Sequence, residues 1–282
     1  MEDILSMADT PYMYLLDLVL QSPMLESLEL MIGGEGFIND QKVNGDWPHL
    51  KKLKITGRAS DADLDFIFKN DLGNMADQGP YLSALNSSKA FGSHYQSLVN
   101  VDLRDCLKIS SCIVPDILCL CPKLEILQAR HVYARNVAER GLWACQQLRE
   151  LNIQFLMDPS EQDLQQLVFE RLSTLVRLER LTLDYDRCGD YRHDVLHFCL
   201  DCGLGQLAGL QQLTYVWLYT PSYSSWCSNL GTEDVVWIVN NWKKLKTTSP
   251  NYNGSAKVPE FIEIIYLSFS RSHPRQICRL AR

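Results

Sequence analysis

The sequence predicts an α/β solenoid in which each repeat adds one short strand to a parallel sheet and helices cover the sheet's other side. Three observations carry that expectation. A Leu-x-x-Leu-x-Leu phrase recurs along most of the chain, and several of the stretches after it place apolar residues at helical spacing. The composition, 46% hydrophobic and 22% charged with no long Pro/Gly/Ser tract, is that of a chain folded throughout. At 282 residues the chain exceeds a usual single core, and a repeat array solves this by sharing its core between neighbouring units.

The strand phrases come in order as Leu25-x-x-Leu28-x-Leu30, Leu50-x-x-Leu53-x-Ile55, Leu98-x-x-Val101-x-Leu103, Leu124-x-x-Leu127-x-Ala129, Leu148-x-x-Leu151-x-Ile153 and Leu178-x-x-Leu181-x-Leu183. Weaker copies follow at Leu210-x-x-Leu213-x-Tyr215 and Trp242-x-x-Leu245-x-Thr247. The offsets between first residues are 25, 48, 26, 24, 30, 32 and 32, a period that marks repeat architecture. The offset of 48 reads as two periods, one strand being degenerate or replaced by an irregular insertion near 57–97.

Helices are expected where apolar residues recur at three- and four-residue steps. Ile113, Ile117 and Leu120 form one such set, Val195, Phe198, Cys199 and Cys202 a second, and Val235, Val239 and Trp242 a third. Ser160-Glu-Gln-Asp163 has the form of a capping box ahead of Leu164, Leu167 and Val168, since a serine hydroxyl can take an orphan amide of a first turn. The organisation is then a capping segment over 1–22, a repeat array over 23–248, and over 249–282 a C-terminal helix with Phe261, Ile264 and Ile265 and a basic tail.

The phrases "LVNVDLRDCLKIS" and "CPKLEILQA" resemble the cysteine-containing leucine-rich repeats of the ribonuclease-inhibitor-like superfamily, especially those of fungal F-box substrate receptors of SCF ubiquitin ligases. The resemblance covers about residues 23–248, with Cys106 three residues past the last Leu-type position of its copy. It implies a leucine-rich-repeat horseshoe with a parallel concave sheet and convex helices. It also implies a non-catalytic module that recognises a protein target for an SCF-type ligase. No F-box is readable ahead of Leu25. The SCF adaptor is therefore expected as a partner only where an F-box exists upstream, and a freestanding interaction scaffold with no ligase link is the alternative.

Composition narrows the other classes. A net charge of -7 argues against a nucleic-acid partner, because neutralising phosphates needs a basic surface. The amino-terminal "MEDILSMADTPYMYLLDLVL" begins acidic and is broken by Asp17, unlike a secretory signal. The long uncharged span 202–232 is too polar for a membrane helix. A soluble chain in the cytoplasm or nucleus is expected. Ten cysteines in a chain this long fit a reducing compartment better than a disulfide framework, and the sequons at Asn86 and Asn253 then carry no meaning.

Cys199-Leu-Asp-Cys202, with Cys188, His193 and His197 close in sequence, is the best metal candidate. Two thiolates at i, i+3 and an imidazole one turn away could face one zinc ion, which makes a metal-binding or hydrolytic protein the remote alternative. The expected reading is core filling beside Val195 and Phe198, with no cofactor. Cys119-Leu-Cys121-Pro122 lacks the two intervening residues of a redox pair. Gly203-x-Gly205-x-x-x-Gly209 precedes a strand phrase rather than a helix, so it reads as a repeat loop and not a phosphate cradle. His131 and Ser173 stand alone and no catalytic residue is expected. Trp237 and Trp242 are expected to cap the core of the last repeat.

The candidate binding lane follows from strand alternation. The two later apolar residues of each phrase point into the core, so the residues before, between and after them point to the other face. That face holds Lys52, Lys54 and Thr56; Asn100, Asp102 and Arg104; Ile126, Gln128 and Arg130; Glu150, Asn152 and Gln154; Arg180, Thr182 and Asp184; and Lys244, Lys246 and Thr248. Ser27, Glu29 and Met31 precede them, and Gln212, Thr214 and Val216 represent the seventh copy. Seven basic residues against four acidic ones reverse the sign of the whole chain, which favours a protein target with an acidic segment.

Overall fold

The computed structural model describes residues 4–7, 22–32, 47–60, 93–108, 113–157, 163–183, 194–218 and 231–245. Ten strands appear among them: β1 (Ile4–Met7), β2 (Ser27–Ile32), β3 (Lys52–Ser60), β4 (Asn100–Leu103), β5 (Cys106–Lys108), β6 (Ile126–Tyr133), β7 (Glu150–Met157), β8 (Arg180–Leu183), β9 (Asp194–Val195) and β10 (Tyr215–Leu218). The helices are α1 (Ile113–Leu120), α2 (Ala134–Glu139), α3 (Asp163–Ser173) and α4 (Thr232–Asn241). The fold is α/β, with one sheet in the order β1-β2-β3-β4-β6-β7-β8-β10, while β5 pairs with β3 and β9 with β7. Every pairing along that path is parallel, and β9 alone runs antiparallel.

The residue before the second leucine of each phrase sets the register. Ser27 pairs with Lys52, Lys52 with Asn100, Asn100 with Ile126, Ile126 with Glu150, and Glu150 with Arg180. The direct pairing of β3 with β4 resolves the long offset, because no strand separates the two in the sheet and the extra residues count as an insertion in its register. That insertion begins later than expected, since Gly57–Ser60 continue β3 and Ser93–Gln96 form a 3-10 turn. The segment expected only to cap the array contributes β1, whose Ile4 pairs with Glu29.

Each strand is launched by the same hydrogen bonds. The amide of the first leucine donates to the carbonyl three residues earlier: Leu50 to Trp47, Leu124 to Cys121, Leu148 to Cys145 and Leu178 to Leu175. The carbonyl just after that leucine accepts two amides from the next copy, as Lys51 does from Val99 and Asn100, and Arg149 from Glu179 and Arg180. The residue that opens the turn is apolar and buried in copy after copy: Trp47, Tyr95, Cys121, Cys145 and Leu175. Cysteine serves there as a small apolar side chain.

This turn corrects the seventh and eighth copies. Leu213 donates to Leu210 and Leu245 to Trp242, so Leu210 and Trp242 are turn openers and the seventh phrase is Leu213-x-x-Val216-x-Leu218. Tyr215 then pairs with Arg180 and Val216 with Leu181. A three-residue shift is an odd one, so it exchanges the two faces of a strand.

The core fills the space between one face of the sheet and the helices. Leu28, Leu53, Val101, Leu127, Leu151, Leu181 and Val216 meet Ile117, Val137, Phe169 and Leu172 there. Full burial of such a side chain contributes roughly 1.5–3 kcal/mol. The helix α1 buries Ile113, Val114, Pro115, Ile117 and Leu118, with Pro115 in the first turn, where an amide has no intrahelical acceptor. Asp163 and Arg171 lie in the first and last turns of α3, matching its dipole. The proposed capping residue Ser160 and the C-terminal segment with Phe261, Ile264 and Ile265 lie outside the described residues.

Two expectations about helices change. No helix runs from Val195 to Cys202: β9 leads through irregular chain, where the Cys199 amide donates to the His197 carbonyl, into a 3-10 turn over Leu200–Cys202. In α4 the buried face carries Asp234, Ile238 and Trp242, whereas Val239 is 62% exposed. Trp242 does cap the core, donating from its indole to the Leu207 carbonyl at 3.2 Å and meeting Trp237 edge to face at 5.6 Å.

Candidate protein-binding surface

The sheet face opposite the core carries two cross-strand rows. One runs Ser27, Lys52, Asn100, Ile126, Glu150, Arg180 and Tyr215; the other runs Glu29, Lys54, Asp102, Gln128, Asn152, Thr182 and Trp217. None of these residues is buried. They alternate with core residues because a strand turns successive side chains to opposite faces. Met31, Thr56 and Arg104 lie beyond the second row, also outside the core.

The charges on this face pair with one another. Lys54 donates to Glu29 at 2.6 Å, and that hydrogen bond holds the ammonium above its ordinary range. Arg104 grips Asp102 with two nitrogens at 3.1 and 2.8 Å, which raises the guanidinium likewise. Glu150 accepts from Gln128 at 3.0 Å and faces Arg180 at 3.4 Å. The Arg180 guanidinium also stands 4.5 Å over the Tyr215 ring, a contact in which the ring's negative face meets the cation. Among the described residues of the lane, five basic side chains (Lys52, Lys54, Arg104, Arg130, Arg180) meet three acidic ones (Glu29, Asp102, Glu150). The lane is thus less basic than the sequence suggested, and three of its cations already face carboxylates.

Several predicted lane residues sit elsewhere. Gln154 is buried, with 7% exposure. Every residue from Ile153 to Met157 is buried, so this end of β7 is covered on both faces and alternation stops reporting burial. Val216 is in the core at 4% exposure, as the corrected phrase requires. Lys244 lies at the start of the eighth copy, where it donates to Gln212 at 2.5 Å. Asp184, Lys246 and Thr248 lie outside the described residues.

Four aromatic side chains join the surface instead. Tyr215 and Trp217 flank the core residue Val216 and are only half-buried. In β6 the register shifts between Gln128 and His131, and past this bulge Val132 enters the core while His131 and Tyr133 flank it, 6.2 Å apart and edge to face. The sequence signal for the first pair was the buried turn opener at Leu210. The bulge left no signal.

The described cysteines divide into two kinds. Cys106, Cys121 and Cys145 are buried free thiols, and Cys106 donates to the Ile55 carbonyl at 2.9 Å, tying the segment after β4 back to β3. Burial pushes Cys106 and Cys145 up to about 12, the half-buried Cys119 up to about 11, and Cys121 well upward. Cys199 and Cys202 are instead joined as a disulfide with Cα atoms 5.1 Å apart. They are neither core fillers nor a pair of free ligands. Phe198 packs in the core, edge to face with Phe169 at 5.3 Å. Cys188 and His193 lie outside the described residues. Gly203, at φ 112°, caps the turn at the disulfide and precedes a further 3-10 turn, Leu204–Gly209, which leads to β10.

Among the described residues no group of three or more His, Cys, Asp or Glu side chains is placed to hold a metal ion, and no helix is long and apolar enough to cross a membrane. No protein-family model matches this chain, and no curated protein matches it.

Proposed function

We propose that the chain is a leucine-rich-repeat solenoid that binds another protein on the exposed, concave face of its sheet. The observation that carries the reading is the pair of polar rows running across neighbouring parallel strands, with Arg180, Tyr215 and Trp217 clustered at one end. Arginine, tyrosine and tryptophan are the residues most often found to anchor protein interfaces. The strand order supports a solenoid over a doubly wound sheet, since it follows chain order without the reversal at which such sheets bind ligands. The recurring turn and two-amide ladder support it further, because each unit repeats one local solution and buries its apolar side against its neighbours.

The preferred target is a protein segment that carries carboxylates. Such a segment competes with Glu29, Asp102 and Glu150 for cations they already face, so steering is modest and contact with the aromatic cluster supplies specificity. The triple variant Arg104→Glu, Arg130→Glu, Arg180→Glu is expected to lose its protein target while remaining folded, about 1–3 kcal/mol less stable than the parent because two partly exposed ion pairs become like-charge contacts and the Tyr215 cation–π contact is lost. A control pair on the exposed side of α3, Gln166→Arg and Glu170→Arg, is expected to keep it. The check is capture from native extract at fixed salt with chemical denaturation alongside. Retention of the same target by the folded triple variant removes the sheet face as the binding surface.

The family resemblance extends the proposal to substrate recognition for an SCF-type ubiquitin ligase. That role requires an adaptor site, and no F-box is readable ahead of Leu25. Residues 1–282 mixed with the SCF adaptor are expected to elute separately on size exclusion. A stable one-to-one complex would place a diverged adaptor site within this chain.

A further inference from the structure

We propose that Cys199 and Cys202 are a reversible dithiol–disulfide site, open to exchange with low-molecular-weight thiols, that controls how firmly α4 is held to the fold. The two cysteines are partly exposed and bonded to each other across two residues. A bond that closes so short a loop constrains the unfolded chain little, so its consequences are local to the turn it closes.

That turn joins two helices. The buried Gln165 of α3 accepts from the His197 amide at 2.8 Å and donates to the Cys202 carbonyl at 3.2 Å. The buried Asp234 of α4 accepts from the Leu200 amide at 2.7 Å and from Gly231 at 2.6 Å. Gln165 and Asp234 are two of the three buried polar residues among those described, and both are spent on this segment. The disulfide brackets Leu200, whose amide is the link to α4. On the far side Gly203 is fixed at φ 112°, where an added Cβ would lie 3.0 Å from the Phe169 ring. With the bond closed the Leu200 amide is held toward Asp234. With it open the backbone of residues 199–202 gains rotational freedom, and the carboxylate that both caps α4 and anchors it loses a fixed partner.

The chemistry is thiol–disulfide exchange. The thiolate of one glutathione attacks either sulfur, forms a mixed disulfide and releases the other cysteine as a thiolate that takes up a proton. A second glutathione thiolate displaces the remaining cysteine, so that two electrons and two protons pass to the cysteine pair and glutathione disulfide leaves. The reverse reaction closes the bond. Cys106, Cys121 and Cys145 do not compete, because they are buried and their thiols stay protonated far above neutral pH.

The full chain, equilibrated in glutathione buffers of graded thiol-to-disulfide ratio, is acid-quenched and alkylated, and each cysteine is read by peptide mass spectrometry. In parallel, hydrogen exchange is followed over residues 232–241. Cys199 and Cys202 are expected to gain label together as the buffer becomes reducing and to lose it together on reoxidation, with amide exchange in α4 accelerating in step. A Cys199→Ser, Cys202→Ser variant is expected to show the faster exchange in every buffer. Label on both cysteines in all buffers, or on neither until denaturant is added, overturns the site. Reversible labelling with unchanged exchange in α4 overturns its control of that helix.

Discussion

Replacing Gly57 with alanine is expected to cost about 3 kcal/mol, the upper range for a side chain forced into left-handed backbone. Gly57 sits in β3 at φ 93°, and a Cβ built there would approach the Ile32 carbonyl oxygen at 2.4 Å. Ile32 is its register partner on β2, so the clash is with backbone and no rotamer change relieves it. The same residue pairs with Cys106 on the opposite side, which leaves β3 no room to move away. Gly57→Asn separates the two causes: asparagine tolerates left-handed backbone better than other residues, yet its Cβ meets the same oxygen. If the close approach dominates, asparagine destabilises nearly as much as alanine. Because the clash falls on the β2–β3 pairing at Ile32 and Gly57, hydrogen exchange is expected to rise first in β2 and β3. A urea midpoint within experimental error of the parent for both variants would show that Gly57 does not hold this conformation.

The repeat was legible because its strongest signals are local. Leucines at fixed steps name the residues that must enter a shared core, and the second position of each phrase, from Leu28 through Leu53, Val101, Leu127 and Leu151 to Leu181, aligns in the Cα register of the sheet. What misled was the repeat's own symmetry. The turn opener lies three residues before the first leucine, the same step that separates the first from the second, so Leu210 and Trp242 imitate a phrase start. The surface was less legible than the core. Which side chains face away from the core follows from alternation, and it failed where the strand was covered on both faces, at Gln154, or bulged, after Gln128. Which charges pair depends on distances between strands that sequence spacing does not contain, as with Lys54 and Glu29. The Cys199–Cys202 bond was hidden for a related reason: the apolar spacing of Val195, Phe198 and Cys202 imitates a helix face, but two buried polar side chains, Gln165 and Asp234, hold the segment as a turn.

Val216→Asp is expected to cost about 3–5 kcal/mol, the scale of an unpaired charge left in a core, whereas Tyr215→Asp should remain within about 1.5 kcal/mol of the parent, the scale of a lost half-exposed aromatic contact. The two residues are adjacent, so helix or strand propensity cannot produce the difference; only the face can. Val216 aligns with the fully buried Leu181 and is itself 4% exposed. Tyr215 aligns with the exposed Arg180 and receives its guanidinium. An aspartate at 215 stands beside that guanidinium and recovers part of the loss as a partly exposed ion pair. At 216 the carboxylate has Leu181 and the rest of the apolar core around it, and the cost of removing it from water is not offset. Under the alternative phrasing, with Leu213 and Tyr215 inward, the order of the two variants reverses. Urea denaturation of both, followed by far-ultraviolet circular dichroism, decides between the registers: a Tyr215→Asp variant less stable than Val216→Asp would remove Tyr215 and Trp217 from the exposed face, and with them the aromatic end of the proposed binding surface.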